Sequence, residues 1–204
     1  MPQDAITGYE SLGPEWIERT EAVDPVKLYG LVLDLLPETL KGLAVLDLGA
    51  GSGRDAAWLA RRGAVVTAVE PCAPLREAGQ ARHRAIPIHW VDDRFPNLSR
   101  VTQRYGLILV TGVWHHLDEA EQPLAFQRLA QLLAPGGRLV MALRHGEAAA
   151  HHINFLIDED ALLSWAEAFG LRTLRRKQAQ SQGDWNLSHG VRWTWLVLER
   201  PEPS

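Results

Sequence analysis

Apolar residues along this chain recur at two spacings, and the spacings take turns. Leu28, Leu31, Val32, Leu35 and Leu36 lie on one helical face between Pro25 and Leu36, ending near Pro37. Ala44 to Leu48 is a short apolar run that stops at glycines, and Asp55 to Arg62 reads as a helix closed by Gly63. The β-branched run Ala64 to Val69 ends at Glu70, after which Pro74 opens a helix through Arg84. Ile86 to Val91, weakened by Pro87, and Tyr105 to Val110 are a third and a fourth strand, too apolar for a sheet with one wet face. Ala120, Leu124, Ala125, Leu129, Leu132 and Leu133 form a helical stripe between Asp118 and Leu133, ended by Pro135-Gly136-Gly137 ahead of a strand from Arg138 to Leu143. Asp158 to Phe169 is a further helix with Gly170 at its end, followed by strands Leu171 to Leu174 and Val191 to Leu198 that can pair antiparallel.

This alternation predicts an α/β fold: a doubly wound, mostly parallel seven-stranded sheet with helices on both faces and an antiparallel C-terminal strand. Its ligand belongs at the carboxyl ends of the strands. A single domain is expected, with residues 1–40 as an N-terminal helical lid, 41–146 as the ligand-binding core, and 147–204 as a C-terminal helix and strand pair with acceptor-side loops.

Composition narrows the function classes. With 204 residues, 46% hydrophobic and 23% charged, the chain is expected to bury a core without metals or disulfides. Lys+Arg 21 against Asp+Glu 25 gives a net charge of −4, which lacks the basic footprint of a dedicated nucleic-acid binder. The one cysteine, Cys72, excludes an intrachain disulfide and a cysteine-clustered zinc site, and is compatible with a reducing compartment. No segment approaches the roughly 18 uninterrupted apolar residues of a membrane span, so the expectation is a soluble, cytoplasmic protein, monomeric or homodimeric.

The most informative stretch is V-L-D-L-G-A-G-S-G-R-D, residues 45–55, where the first strand gives way to a helix. Three glycines let backbone turn tightly and approach a ligand closely, because no Cβ intervenes. Glu70 ends the second strand about twenty residues on, where a carboxylate can accept hydrogen bonds from ribose hydroxyls. A nicotinamide-dinucleotide site shares that carboxylate but shows G-x-G-x-x-G. Here the spacing is G-x-G-x-G, Arg54 stands at the third glycine position, and Asp47 lies in the leading strand. A zwitterionic amino acid joined to a nucleoside suits that pattern better than a diphosphate.

On these residues the chain resembles the class I S-adenosylmethionine-dependent methyltransferases, over roughly Val45 to Gly146. The resemblance implies S-adenosylmethionine as cofactor, left as S-adenosylhomocysteine. Asp47, Gly49, Ala50, Gly51 and Gly53 match the motif that cradles its methionine part, and Glu70 the ribose-binding acid. V-D-D, residues 91–93, resembles the strand end that reads adenine, with Asp93 the first choice, Asp92 the second, and a turn carboxylate the alternative for either. L-I-L-V-T-G-V-W-H-H-L, residues 107–117, resembles the loop closing over adenine and sulfonium. Thr111, Gly112 and Val113 would supply backbone contacts there, and Trp114 would pack against the cofactor or its helix. L-L-A-P-G-G-R-L, residues 132–139, resembles the turn into the fifth strand.

Because a sulfonium methyl is electrophilic from the start, the protein's task is to hold nucleophile, carbon and sulfur in line, adding a base only where the nucleophile arrives protonated. His115 and His116 are candidates to orient or deprotonate an acceptor, or alternatively cap or pack. Arg144 and His145 stand on the same rim and suit an anionic acceptor, or are exposed polar residues at a strand end. His151-His152 has no carboxylate or cysteine at a recognised ligand spacing, so no metal is expected. Trp193 and Trp195 share a strand face at period two and are expected in the core, Trp185 in an acceptor loop. Arg172, Arg175, Arg176 and Lys177 form one basic cluster, expected to be a solvated strand face. The expected function is methyl transfer to a small-molecule acceptor. The rivals are methylation of RNA or protein, and a non-catalytic S-adenosylmethionine-binding regulatory module.

Overall fold

The computed structural model describes residues 3–148, 153–181, 186 and 188–203. Its strands are β1 (Ala44–Leu48), β2 (Val65–Val69), β3 (Ile88–Val91), β4 (Tyr105–Thr111), β5 (Leu133–His145), β6 (Arg172–Gln180) and β7 (Arg192–Glu199). They form one sheet in the order β3-β2-β1-β4-β5-β7-β6. All neighbours are parallel except that β7 runs antiparallel to both β5 and β6. The helices are α1 (Gln3–Glu10), α2 (Pro14–Glu21), α3 (Pro25–Leu28), α4 (Arg54–Arg61), α5 (Ala73–Arg82), α6 (Glu121–Leu132) and α7 (Glu159–Ala168). Short 3-10 turns lie at Leu33–Leu35 and Trp114–His116.

Period-two alternation distributes the buried strands between two cores. Leu46, Leu48, Ile108, Val110, Leu139 and Met141 pack with Phe126, Leu129 and Leu132 of α6 and Leu162 of α7. Val45, Val66, Leu107, Leu109 and Val140 pack with Ala56 and Leu59 of α4 and with Tyr29 and Val32. Asp47 follows the parity of Val45. It is therefore buried on the α4 side, between Ala68 of β2 and Leu109 of β4.

Three elements differ from the sequence expectation. The helix expected from Pro25 to Leu36 is α3 followed by a 3-10 turn, because Tyr29 leaves helical geometry and is drawn completely into the core. The fifth strand starts at Leu133, not Arg138: Leu133 pairs with Tyr105 before the register shifts, and Gly136 N–H donates to the Arg200 carbonyl at 2.8 Å. Strand β6 extends to Gln180, well past Leu174. Its last half is polar and its order comes from the ladder to β7, which hydropathy does not report.

The basic cluster on β6 is largely neutralised in place. Arg172 pairs with Glu199 at 2.6 Å, Arg175 with Asp34 at 2.6 Å and Arg176 with Glu159 at 2.7 Å. The solvated strand face accounts for it. Among the described residues no helix is long and apolar enough to cross a membrane.

Helix α5 meets the loop after β1 through a glycine. A Cβ on Gly79 would lie 2.6 Å from the Ser52 carbonyl oxygen and 2.5 Å from the Trp90 ring. Backbone cannot yield as a flexible side chain does, so Gly79→Ala is expected to lower stability by about 1–3 kcal/mol, the usual cost of overpacking. A shift in the urea midpoint at unchanged slope would register it, and an unaltered midpoint would contradict the contact.

Candidate functional site

The parallel order reverses between β1 and β4, so the loops leaving these strands diverge and open a crevice at their carboxyl ends. The glycine loop lines one side. Gly49 and Ala50 N–H both donate to the Val69 carbonyl, at 2.9 and 3.0 Å, and Gly53 N–H to the Ala50 carbonyl at 2.8 Å. Gly49, Gly51 and Gly53 all have left-handed φ, of 68°, 58° and 88°. What surrounds each differs. A Cβ on Gly49 would strike Val113 and one on Gly53 would lie 2.6 Å from Trp90, so these two permit packing. A Cβ on Gly51 would meet nothing within 4 Å. Gly51 alone among the three faces open space.

Glu70 is anchored to this loop. Its carboxylate accepts from Gly51 N–H at 2.8 Å and from Cys72 N–H at 2.8 Å, which fixes its plane and leaves further lone pairs for hydroxyl donors. Burial raises its pKa, opposed by these two amide donors and by Arg76. Asp92, next on the following strand tip, is exposed and stands 3.4 Å from Arg76. Asp93 is committed elsewhere: it accepts Arg94 N–H at 2.8 Å and Arg100 N–H at 2.7 Å, so it closes the 94–100 loop. The turn-carboxylate alternative applies to Asp93, and Asp92 is the acid left facing outward.

Below the loop lies a buried charged group. Arg54 grips Asp55 through two hydrogen bonds of 2.8 and 2.9 Å, and the Tyr29 hydroxyl donates to Asp55 at 2.9 Å while contacting Thr111 Oγ1 at 3.0 Å. Asp47 is buried beside this group, and its Oδ2 has no hydrogen-bond partner among the described residues. Burial, then the Asp55 charge, push Asp47 up to about 8, against the opposing pull of Arg54 and the Ala56 amide. A carboxyl in that state is a ready seat for a cation.

The N-terminal helices lie over the glycine loop. Ser52 Oγ donates to Glu21 at 2.6 Å, His83 Nε2 stands 3.3 Å from the same Glu21 oxygen, and Arg54 reaches the Thr20 carbonyl at 3.2 Å. Tyr9 of α1 extends further, placing its hydroxyl 3.0 Å from His116 Nε2. Burial raises the Tyr9 pKa strongly, helped by the Glu70 charge and opposed by Arg144.

Of the residues expected in the loop after β4, Val113 packs on Gly49, and Gly112 N–H donates to the Ala142 carbonyl at 3.0 Å with Trp193 alongside. Trp114 departs from expectation. It is fully buried between Phe95 and Phe126, in the core on the α6 side, because the 3-10 turn points it into the sheet's other face. His115 and His116 are buried with ring centroids 4.0 Å apart, and His116 Nδ1 lies 2.8 Å from the Ile153 carbonyl.

Arg144 and His145 do not share a rim. Both are inside β5, so they alternate faces. His145 is 3.0 Å from Glu159 and 3.1 Å from Thr194, an arrangement that secures the start of α7. Arg144 falls on the α1 side. Trp195 packs edge-on against Tyr29 in the core as expected, whereas Trp193 is half-buried beside Gly112. Trp185 and His151-His152 lie outside the described residues. Among the described residues no group of His, Cys, Asp and Glu is arranged to hold a metal ion.

Sequence reasoning passed over Tyr9, Tyr29, Glu21 and Gly79. Only Gly79, a glycine inside a helical pattern, carried a local signal. The others act through contacts more than twenty residues distant.

Residues 45–137 match the model of a methyltransferase domain. The likeness to methyltransferases is carried by this stretch, and the fold around it is shared with solved methyltransferases. An uncharacterized methyltransferase of Geobacillus kaustophilus is 35% identical over 103 residues, covering 50% of this chain and 46% of that protein. The chain thus spans about half the length of such curated relatives. A ubiquinone biosynthesis O-methyltransferase of Coxiella burnetii is 25% identical over 201 residues, 85% of this chain and 84% of that protein. Among solved structures, magnesium protoporphyrin IX methyltransferase of Synechocystis PCC 6803, solved with bound S-adenosylmethionine, shares the fold. Its TM-score is 0.65 at 18% identity, over 95% of this chain and 80% of that one.

Proposed function

We propose that the protein transfers a methyl group from S-adenosylmethionine to a small-molecule acceptor, in the cytoplasm. The observation that carries this reading is one seat with three matched parts. Open space above Gly51 suits close passage of the cofactor, the anchored Glu70 suits ribose hydroxyls, and the unpartnered Asp47 oxygen suits an ammonium. Asp92, outward-facing on the third strand tip, is the better of the two neighbouring acids for the adenine end.

When bound, the cofactor supplies a methyl already activated by sulfonium charge. Everything else is positioning. Glu70 would fix the nucleoside through its ribose hydroxyls, the Asp47 carboxylate would hold the amino group, and α2 lies against the glycine loop beside them. The acceptor then approaches from the β4–β5 side, where Tyr9, His116 and Arg144 converge.

Turnover of S-adenosylmethionine to S-adenosylhomocysteine across a metabolite panel tests the reading. Product formed with a small molecule supports it, and tight cofactor binding without any turnover would favour the regulatory-module alternative. Salt-sensitive retention on RNA would move the acceptor class to nucleic acid.

A further inference from the structure

Resting on the methyl-transfer reading, we infer that the acceptor is a hydroxylated organic acid, whose carboxylate pairs with Arg144 and whose hydroxyl releases its proton through Tyr9 to His116. The inference follows a run of contacts linking α1 to β5. His116 Nδ1 faces the Ile153 carbonyl at 2.8 Å, and a carbonyl only accepts, so the proton of neutral His116 sits on Nδ1. Nε2 is then the basic nitrogen, and the Tyr9 hydroxyl 3.0 Å away donates to it. In the amide orientation that satisfies both of its ends, Asn154 donates to the same Ile153 carbonyl at 3.2 Å and accepts from Arg144 Nη1. Consecutive residues of one extended segment therefore hold the base and the guanidinium side by side.

Arg144 is the cation that stands beside this pair. It is half-buried, yet no carboxylate among the described residues pairs with it, whereas Arg54, Arg76 and Arg138 each have one. Burial without a counter-charge lowers its pKa, a cost that an anionic ligand would relieve. A planar carboxylate matches the guanidinium fork.

Tyr9 sets the nucleophile class. Its phenol is half-buried near Glu70 and Cys72, and its desolvation opposes phenolate, so it does not itself store a negative charge. It passes a proton on. As the acceptor oxygen forms its bond to the methyl carbon and the carbon–sulfur pair leaves with sulfur, the acceptor proton moves to Tyr9 oxygen. The Tyr9 proton moves to His116 Nε2, and the imidazolium that results is held at Nδ1 by Ile153. Tyr9 is the catalytic residue, and His116 positions it and takes the proton. The charged and titratable groups facing this pair are His115 on the same turn, Glu70 and Cys72 beyond β2, and Arg144 on β5.

The test uses the full chain with hydroxybenzoates and aliphatic 2- and 3-hydroxy acids, their methyl esters, and the matching amino acids. Calorimetry with S-adenosylhomocysteine is run alongside, so that loss of the cofactor reading is seen separately. Turnover is expected with hydroxy acids. Arg144→Met should raise KM at least about 10-fold for the acids and leave the esters and the S-adenosylhomocysteine affinity unaltered. Tyr9→Phe should lower kcat about 10- to 100-fold, in the range of general-base effects, with KM little changed. In His116→Gln the acid limb of the kcat/KM profile should vanish. The inference is overturned by a cofactor-competent protein that turns over only esters or amines, or none of the panel. It is equally overturned by Arg144→Met losing the cofactor, by Tyr9→Phe at full kcat, or by nitrogen NMR placing the neutral His116 proton on Nε2.

Discussion

Gly51→Val is expected to abolish binding of S-adenosylhomocysteine while the protein still folds. The Cβ direction at Gly51 is open to 4 Å, so the new Cβ strikes no protein atom and the side chain points into the space assigned to the cofactor. The backbone does impose a cost. Gly51 has φ 58°, and a residue with Cβ in this left-handed region loses roughly 1–2 kcal/mol. For a domain of this length that is a fall in Tm of about 2–8 °C. Gly170→Val separates the two effects: φ there is 69°, its Cβ also meets nothing within 4 Å, and it follows α7. It should show a similar fall in Tm and unchanged affinity. Calorimetry on the pair decides the matter, and retained binding by Gly51→Val would remove the cofactor from its assigned place.

Asp47→Asn is expected to act in opposite directions on stability and on binding. Without ligand, the Asp47 pKa in the folded chain stands far above that of an exposed carboxyl. A raised folded-state pKa contributes stability that is complete below the unfolded value, near 4, and is lost as pH rises through the folded value. The wild-type apoprotein should therefore lose stability between about pH 4 and 8 through this group, and the asparagine variant should lose that part of the slope. At pH 8 the variant should melt about 2–8 °C higher, corresponding to about 1–2 kcal/mol. Binding reverses the sign. Seating an ammonium requires the ionised carboxylate, so wild type should release a proton on binding at pH 7 and gain affinity towards pH 8. The variant should bind about 10- to 100-fold more weakly, the worth of a charge-assisted hydrogen bond. Calorimetry in buffers of different ionisation enthalpy counts the proton. An unchanged proton count in Asp47→Asn, or a lower Tm, would mean that Asp47 is an ordinary ionised structural acid.

How far each conclusion was available in advance depends on the range of the contacts behind it. The strand–helix alternation, the glycine loop and Glu70 are local patterns: parity, turn geometry and chain direction are written within a few residues, and the parallel order follows from them. Asp47 is a mixed case. Its position at the loop was plain, but its burial beside Asp55, and hence its altered ionisation, required α4 to fold back onto β1. Asp92 and Asp93 are adjacent and chemically identical in one dimension, and only the loop amides that claim Asp93 tell them apart. Arg144 and His145 are neighbours on one strand end in the sequence, and strand parity separates them because β5 continues through both.

By itself the sequence determined the fold class, the position of the glycine loop and the likeness to methyltransferases, because these depend on periodicity and on which positions can do without a Cβ. Only the tertiary structure decided that Trp114 is core, that His145 serves α7, and that Tyr9, some hundred residues away in sequence, meets His116. Such assignments depend on which side chain fills a given volume after the chain has closed on itself. Hydrogen-bond donors and buried charges acquire their roles from those neighbours, and neighbours of that kind leave no trace in local spacing.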